Sequence, residues 1–258
     1  MNNDLNLLMI ICLFFVYCMM GWVWESCYES FLNKKLLNRG FLNGPYIPIY
    51  GFGGTFILVV LQRFQAPLLS LASVKIYIIG AIGATILEYI TSYVLEKVLK
   101  ARWWDYSDYP LNLNGRICLI ATLFWGLVAV LAINVLNPFL VKKYMAMPHD
   151  TVLIFASVMC TLFVVDLGVT INSILDLQSR LQLMMTIEAE KMIEIVSGTS
   201  GNFSKYKNKF LNLGNPFTKR IIESFPKLRF TSSQMQKAFM KIKSLPFNRN
   251  NGDESEAK

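Results

Sequence analysis

Three acidic residues occur in this chain where the surrounding sequence is strongly apolar. Glu25 ends the first apolar run, Glu88 lies near the middle of another, and Asp166 interrupts a third. A charged side chain at the centre of a membrane span costs roughly 2.5–3.5 kcal/mol on insertion scales, so such residues face protein or water rather than lipid. These carboxylates would either line a polar pathway or pair with loop arginines and fix the helices. The residues alone leave both interpretations open.

The two central acids each belong to a polar stripe at helical spacing. One stripe consists of Thr85, Glu88, Ser92 and Glu96, and the other of Asp166, Thr170 and Ser173. Gly80 and Ala84 form a pair of small residues that permits close helix packing. We therefore expect the two stripes to face one another across the interior of a helical bundle.

A loop rich in glycine and proline precedes the second apolar run. Residues 38–54 read NRGFLNGPYIPIYGFGG, with Arg39 as the only charged residue. Non-helical backbone at membrane depth is tolerated only where protein covers it or where it lines a water-filled cavity. The segment is therefore predicted to be a rigid, protein-buried entry into the second span, which places Arg39 and Tyr50 against the acids of neighbouring helices.

A second unusual loop, RWWDYSDYPLNLNGR, occupies residues 102–116. Its tryptophans and tyrosines are typical of a membrane-interface cluster, and Asn114 is a candidate helix N-cap. If both loops share one face, Glu25 and Asp105 lie near Arg39 and Arg116. A carboxylate acting as a base beside arginines that hold a phosphate is a chemically sensible site. The same groups could equally form an ordinary folding network.

Composition indicates the solvent in which these residues lie. The chain of 258 residues is 54% hydrophobic and only 16% charged, whereas soluble domains carry about 25% charged residues. We predict an all-α, polytopic transmembrane helical bundle with about five spans and a basic cytoplasmic tail. The expected spans cover residues 5–24, 47–62, 74–98, 117–136 and 151–175. Whether residues 47–62 cross fully or re-enter stays open.

The positive charge lies mostly in the tail. Residues 1–180, the predicted transmembrane domain, carry a net charge of +2, and residues 181–258, the predicted cytoplasmic tail, carry +6. A basic tail beside a bilayer favours anionic lipid headgroups and does not indicate nucleic acid. Helical pattern continues to about residue 196, SGTSGN at 197–202 breaks it, and residues 231–245 predict an amphipathic helix at the interface. The final residues are expected to be disordered.

Lysine and arginine counts in the short loops predict the orientation. Residues 32–46 and 97–116 are richer in these residues than the intervening loops, and the basic tail adds to the same side. By the positive-inside rule, the chain is a multi-pass protein of the cell membrane, with its N-terminus outside and its C-terminus in the cytoplasm.

Cysteine and histidine usage does not indicate a metal or a cofactor. The five cysteines lie in or beside apolar runs without a CxxC pair, and the only histidine is His149. The cysteines are interpreted as small apolar residues of helices. We expect no metal, no cofactor and no catalytic residues.

Three long blocks resemble a known family. GWVWE at 21–25, the segment 38–54 quoted above, and LEYITSYVLEKVLKARWWDYSDYPLNLNGRICL at 87–119 together resemble the CmpB-like ABC-transporter type IV permeases, which are multi-spanning membrane proteins. The resemblance covers roughly residues 10–175 and excludes the tail from about 181. It implies a permease and transfers no catalytic residues.

Three functions follow from these features. The favoured one is the permease component of a transport system, with Glu25, Arg39, Tyr50, Glu88, Asp105, Arg116 and Asp166 as the residues that line its pathway or substrate site. The chain has no GxxxxGK[ST] motif, so its nucleotide-binding ATPase would be a separate subunit, and five spans favour a homo-oligomer. The alternatives are a membrane-embedded enzyme acting on a lipid or lipid-linked substrate, and a non-transporting scaffold or regulator.

Overall fold

Long apolar helices dominate the structure, a computed structural model that describes residues 6–63, 73–197, 220–221, 224–225 and 228–244. The helices are α1 (Leu7–Asn33), α2 (Pro48–Arg63), α3 (Ser73–Leu99), α4 (Leu119–Leu131), α5 (Asn137–Met145), α6 (His149–Ser197) and α7 (Ser233–Ser244). The prediction of an all-α membrane bundle is confirmed.

Within the described residues, four helical segments are long and apolar enough to cross a bilayer. They are Leu7–Asn33, Ser73–Leu99, Leu119–Met145 and His149–Leu183. Helix α2 has 16 residues, which at 1.5 Å per residue is about 24 Å and shorter than a typical hydrocarbon core. The count of five spans therefore stays a prediction.

Local sequence explains where several helices begin, end or change pitch. The Asn6 side chain caps α1 by accepting a 2.8 Å hydrogen bond from the Met9 amide. Helices α4 and α5 form one rod through a π-helical turn at Ala132–Leu136. Pro138 follows this turn and has no amide to donate, and its ring crowds the carbonyl four residues earlier. Widening the preceding turn relieves that crowding.

Helices α1, α2 and α3, the α4–α5 rod and α6 alternate in direction, so the bundle has two distinct ends. At one end, here called the loop face, lie residues 34–47, residues 100–118 and the described residues between 220 and 244. The Thr231 amide donates to the Lys100 carbonyl there at 3.0 Å. At the opposite end the Tyr144 hydroxyl contacts Asn6 Oδ1 at 3.2 Å. The Phe41 and Trp103 rings pack edge to face with centroids 5.0 Å apart, so the expectation that the two unusual loops share a face is confirmed.

Short antiparallel ladders organise the loop face. Strand β1 (Ala101–Arg102) pairs with β4 (Arg229–Phe230), and β2 (Asn112–Leu113) pairs with β3 (Ile117–Cys118). Residues 101–118 are therefore a structured hairpin region. Helix α4 begins after Cys118 without a side-chain cap.

The prediction that Asn114 caps this helix is wrong. Its backbone has a φ of 55°, a left-handed conformation that a short polar side chain tolerates in a turn. Its side-chain amide donates instead to the Tyr89 hydroxyl at 3.1 Å.

Helix α7 forms where the sequence predicts it, but its apolar face does not lie in the membrane interface. Met235 and Phe239 are buried against protein, in a cluster that includes Trp103 of the hairpin region and Leu177 of α6. The physical reason is that the end of α3 and the middle of α6 provide an apolar surface at the loop face. Helix α6 continues to Ser197 as its pattern predicts. The predicted break at 197–202 and the disordered end fall almost entirely outside the described residues.

Candidate functional site

Two of the predicted acids meet in one group of side chains. The Tyr50 hydroxyl donates to Glu25 Oε1 at 3.1 Å. The Tyr106 hydroxyl donates to Glu88 Oε1 at 3.0 Å, and Trp125 Nε1 donates to Glu88 Oε2 at 3.2 Å. The Tyr50 and Trp125 rings touch edge to face, with centroids 5.2 Å apart. These five residues, from α1, α2, α3, α4 and the hairpin region, are called the polar centre below.

Glu88 is the most deeply buried carboxylate of the polar centre. It is 5% exposed, and both of its hydrogen-bond donors are neutral. Among the described residues no lysine or arginine lies within ion-pair distance of it. A buried carboxylate without a cation is costly when charged, so it favours binding a proton or facing a polar ligand.

Burial raises the pKa of the Tyr106 hydroxyl, and the carboxylates of Glu88 and Glu25 raise it further. Both carboxylates therefore act on one hydroxyl group. Tyr106 stays a hydrogen-bond donor at neutral pH, which is the form that orients Glu88.

Close helix packing brings the polar centre together. A Cβ atom on Gly21 would lie 2.3 Å from Cγ of Tyr50, so only glycine leaves room for the ring beside α1. A Cβ atom on Gly80 would lie 2.1 Å from the Ala129 Cβ. Small residues thus bring α2 onto α1 and α4 onto α3, and the second contact sets Trp125 beside Glu88.

Arg39 lies beside Glu25, the other acid of the polar centre, and compensates its negative charge. Its Nε lies 3.7 Å from Glu25 Oε2, and its NH2 lies 3.8 Å from Glu29 Oε1. The Arg39 amide also donates to the Ser26 hydroxyl at 3.1 Å. The expected contacts of Arg39 and Tyr50 with a neighbouring acid are present, and their role in transport stays a prediction.

Asp166 lies apart from this group, so the expectation that its stripe faces the Glu88 stripe is wrong. Its Oδ1 accepts from the backbone amide and the side-chain amide of Asn43 at 3.0 and 2.9 Å, and its Oδ2 accepts from the Gly44 amide at 2.6 Å. Thr170, one turn later, also accepts from the Asn43 side chain, at 2.9 Å. The physical reason is that the 34–47 loop inserts beside α6 and uses Asp166 to satisfy its amides.

Asp105 and Arg116 belong to the hairpin region, but they do not pair with one another. Arg116 NH2 lies 2.8 Å from Glu96 Oε2, and its NH1 donates to the Ser92 hydroxyl at 3.2 Å. Asp105 Oδ2 lies 3.0 Å from Arg229 NH1. The two predicted residues therefore anchor the hairpin region to α3 and to the C-terminal segment, respectively.

The pKa of Asp105 lies below its ordinary value. Burial opposes ionisation, but hydrogen bonds from the Ser107 hydroxyl and amide, followed by the charges of Arg229 and Arg102, outweigh it. The carboxylate is therefore ionised at neutral pH, which makes it an anchor rather than a proton acceptor.

Sequence reasoning missed two residues of the polar centre. Tyr106 was assigned to an interfacial aromatic cluster, and Trp125 was not singled out. Tryptophan is enriched at membrane interfaces, so one inside the predicted span at 117–136 was a usable signal for a buried partner. Among the described residues no group of three side chains is arranged to bind a metal ion.

The long apolar helices and the buried polar centre define a polytopic membrane protein. Residues 12–171 match a sequence family described as "Putative ABC-transporter type IV". The chain belongs to this family, and it is a membrane protein related to transport. No curated protein and no solved structure matches the chain.

Proposed function

We propose that this protein is the permease component of a transport system, and that the polar centre lines its pathway. The observation that carries the proposal is Glu88, a carboxylate 5% exposed in an apolar helix and bonded to neutral donors only. An ionisable residue placed this way inside a span is the usual mark of an ion, proton or substrate path.

The opposite face of α3 supports this proposal by contrast. Ile78, Ile82, Ile86 and Ile90 recur at four-residue spacing and are all about half exposed, which is the pattern of a lipid-facing stripe. The Glu88 face of the same helix points into the bundle. Helix α3 thus separates lipid from a polar interior, as a pathway-lining helix must.

The proposed transport system includes a separate ATPase subunit. The sequence has no GxxxxGK[ST] phosphate-binding loop, so hydrolysis by that motif requires a second chain. The loop face is the proposed contact surface, and it is cytoplasmic in the orientation that the lysine and arginine counts predict. The N-terminus is then outside. Assembly of two copies would supply further pathway-lining helices.

The enzyme alternative is less favoured because its arginines already have partners. Arg39 lies between Glu25 and Glu29, while Arg116 pairs with Glu96 and lies over the rings of Tyr89 and Tyr93. Arginines engaged in this way would have to exchange these contacts for a phosphate. A scaffold or regulator without transport is the remaining alternative.

The first experiment tests whether water reaches the polar face of α3. In a chain whose native cysteines are replaced by alanine, Thr85→Cys places a thiol one turn from Glu88, and Ile86→Cys places one on the lipid face. Because only the thiolate reacts, a charged methanethiosulfonate reagent should label Thr85→Cys in membranes and leave Ile86→Cys unlabelled. Equal, negligible labelling of both would contradict a hydrated pathway.

The second experiment tests for the ATPase. The tagged protein, expressed from its own promoter, is purified in mild detergent and reconstituted into liposomes. We expect a P-loop ATPase in fixed ratio, whose ATP hydrolysis depends on this chain. Purification with a lipid-linked product and no ATPase would instead support the enzyme. Purification with neither would support the scaffold and contradict the permease proposal.

A further inference from the structure

A short C-terminal segment crosses the loop face and contacts Arg39, whose positive charge lies beside Glu25. The segment consists of the described residues 220–221, 224–225 and 228–230, and it is called the strap below. Arg220 donates to the carbonyls of Gly40 and Phe41, each at 3.0 Å. The Ser224 hydroxyl donates to the Asn38 carbonyl at 2.6 Å. The strap therefore binds the backbone of the loop that contains Arg39.

The strap also contacts the Arg39 guanidinium directly. Arg39 donates to the Ser224 carbonyl, and its guanidinium carbon lies 5.2 Å from the centroid of the Phe225 ring. This distance is within the range of a cation–π contact. The same guanidinium is 3.7 Å from Glu25 and 3.8 Å from Glu29. One cation thus lies between the strap on one side and two carboxylates on the other.

Two further contacts fix the strap independently of Arg39. Strand β4 pairs with β1 through Ala101↔Phe230 and Arg102↔Arg229, and the Phe225 ring packs edge to face on Trp103 at 4.7 Å. Together with the Arg220 hydrogen bonds at its start, these contacts hold the strap at both ends. Phe225 packs between Trp103 and Arg39. This arrangement limits where the guanidinium can go.

The strap lies beyond the part of the chain that matches the family, residues 12–171. Glu25, Arg39 and Glu88 lie inside it. We infer that the strap is a positioning element, in which Phe225 and the Ser224 carbonyl hold Arg39 beside Glu25 and so set the charge of the polar centre. Without the strap, Arg39 would lose these two contacts, and Glu25 would lose the nearby cation that favours its charged form.

The test is chemical labelling of the two carboxylates in the full-length protein. Dicyclohexylcarbodiimide modifies protonated carboxyl groups in apolar surroundings, and peptide mass spectrometry assigns the modified residue. Because the Arg39 charge favours the charged form of Glu25, the wild-type protein at neutral pH should show less Glu25 labelling than a variant without this cation. Arg39→Gln is the positive control and should raise Glu25 labelling several-fold. Labelling of Glu88, which does not contact Arg39, is the internal reference.

The decisive variants change Phe225. Phe225→Leu keeps an apolar side chain against Trp103 but removes the aromatic face, and it should raise Glu25 labelling toward the level of Arg39→Gln. Phe225→Tyr retains the ring and should behave as wild type. Labelling of Glu88 should stay constant throughout. A general loosening of the fold would raise the labelling of Glu25 and Glu88 together, and that result would overturn the inference.

Two other results would also overturn it. In the first, Arg39→Gln raises Glu25 labelling but Phe225→Leu leaves it at the wild-type level. The strap would then not position Arg39. The other is unchanged Glu25 labelling in Arg39→Gln itself, because Arg39 would then not control the carboxylate. These readouts need neither a transported solute nor an ATPase, so they are independent of the proposed permease function.

Discussion

Glu88 and Asp166 are both acids within apolar helices, but their hydrogen-bond partners differ in kind. Asp166 accepts from the backbone amides of Asn43 and Gly44 and from the Asn43 side chain. Glu88 accepts from two side chains, Tyr106 and Trp125, that belong to different elements. Backbone amides of a loop must find acceptors wherever the loop is buried, so Asp166 has a sufficient structural reason to be present.

Glu88 has no comparable structural reason. Its two donors are side chains rather than backbone amides, and replacing a buried polar group together with its side-chain partners by apolar groups of the same shape can be nearly neutral for stability. The comparison teaches that an acid inside a span indicates function only when the fold does not already require it. Four predictions would break or sharpen this contrast.

The largest effect is expected for the neutral variant of Glu88. Glu88→Gln keeps the volume and can still accept one hydrogen bond, so insertion and folding should be unchanged. Loss of the carboxylate should abolish transport-coupled ATP hydrolysis by the complex in proteoliposomes. The matched variant Asp166→Asn should lower stability but leave the folded fraction active. Full activity of Glu88→Gln would show that the Glu88 carboxylate is not required for transport, and the functional difference from Asp166 would be lost.

The next effect concerns stability. Asp166→Ala leaves the half-buried backbone amides of Asn43 and Gly44 without an acceptor, whereas the Asn43 side chain keeps Thr170; orphaned buried donors cost about 1–3 kcal/mol each. We expect a loss of about 3 kcal/mol, after partial compensation by water at the loop. Thermal unfolding in detergent measures it, with Ser157→Ala as a control on an exposed part of α6. An unchanged midpoint for Asp166→Ala would show that the loop does not depend on this carboxylate.

A smaller effect is expected at the donor of Glu88. Tyr106→Phe removes one hydrogen bond, worth about 1 kcal/mol, and leaves Glu88 held by Trp125 alone. Transport-coupled hydrolysis should fall several-fold, and folding should be retained. Tyr109→Phe is the matched control, because its ring packs edge to face on that of Tyr106, whereas Glu88 accepts from Tyr106 and Trp125. Equal behaviour of the two variants would argue against a role for Tyr106 in orienting the carboxylate.

The smallest effect is a pH dependence at Asp105, which lies outside the spans and provides a reference carboxylate. Since its pKa in the folded protein is lowered, its stabilising contribution is fully present above the ordinary aspartate value of about 3.9. That contribution is lost as pH falls through the lowered folded value. Arg229 is 65% exposed, so the effect is weak and screened by salt.

Protection of the strap against proteolysis measures this dependence. An acid-stable protease should cut the strap faster below about pH 4, and Asp105→Asn should remove the difference between neutral and acidic pH. The same acid dependence in Asp105→Asn would assign the effect to another group.

Much of the architecture could be predicted from the residues. Hydropathy located the long helices, because a bilayer core requires continuous apolar segments whatever their neighbours. Small residues such as Gly80 indicated close packing, and loop charges indicated which loops share a face. Asp166, Thr170 and Ser173 do form one polar face. What this pattern could not indicate was the partner of that face, because a helical period specifies a direction and not a contact.

The sequence by itself determined the class of the protein: an all-α membrane bundle of a transporter-related family, with carboxylates placed where lipid cannot accept them. Only the tertiary structure decided how each carboxylate is used. Asp166 binds the 34–47 loop, Glu25 pairs with Arg39, and Glu88 meets Tyr106 and Trp125. The reason is physical, since burial in the bilayer depends on local composition, whereas the partners of a buried charge come from segments distant along the chain.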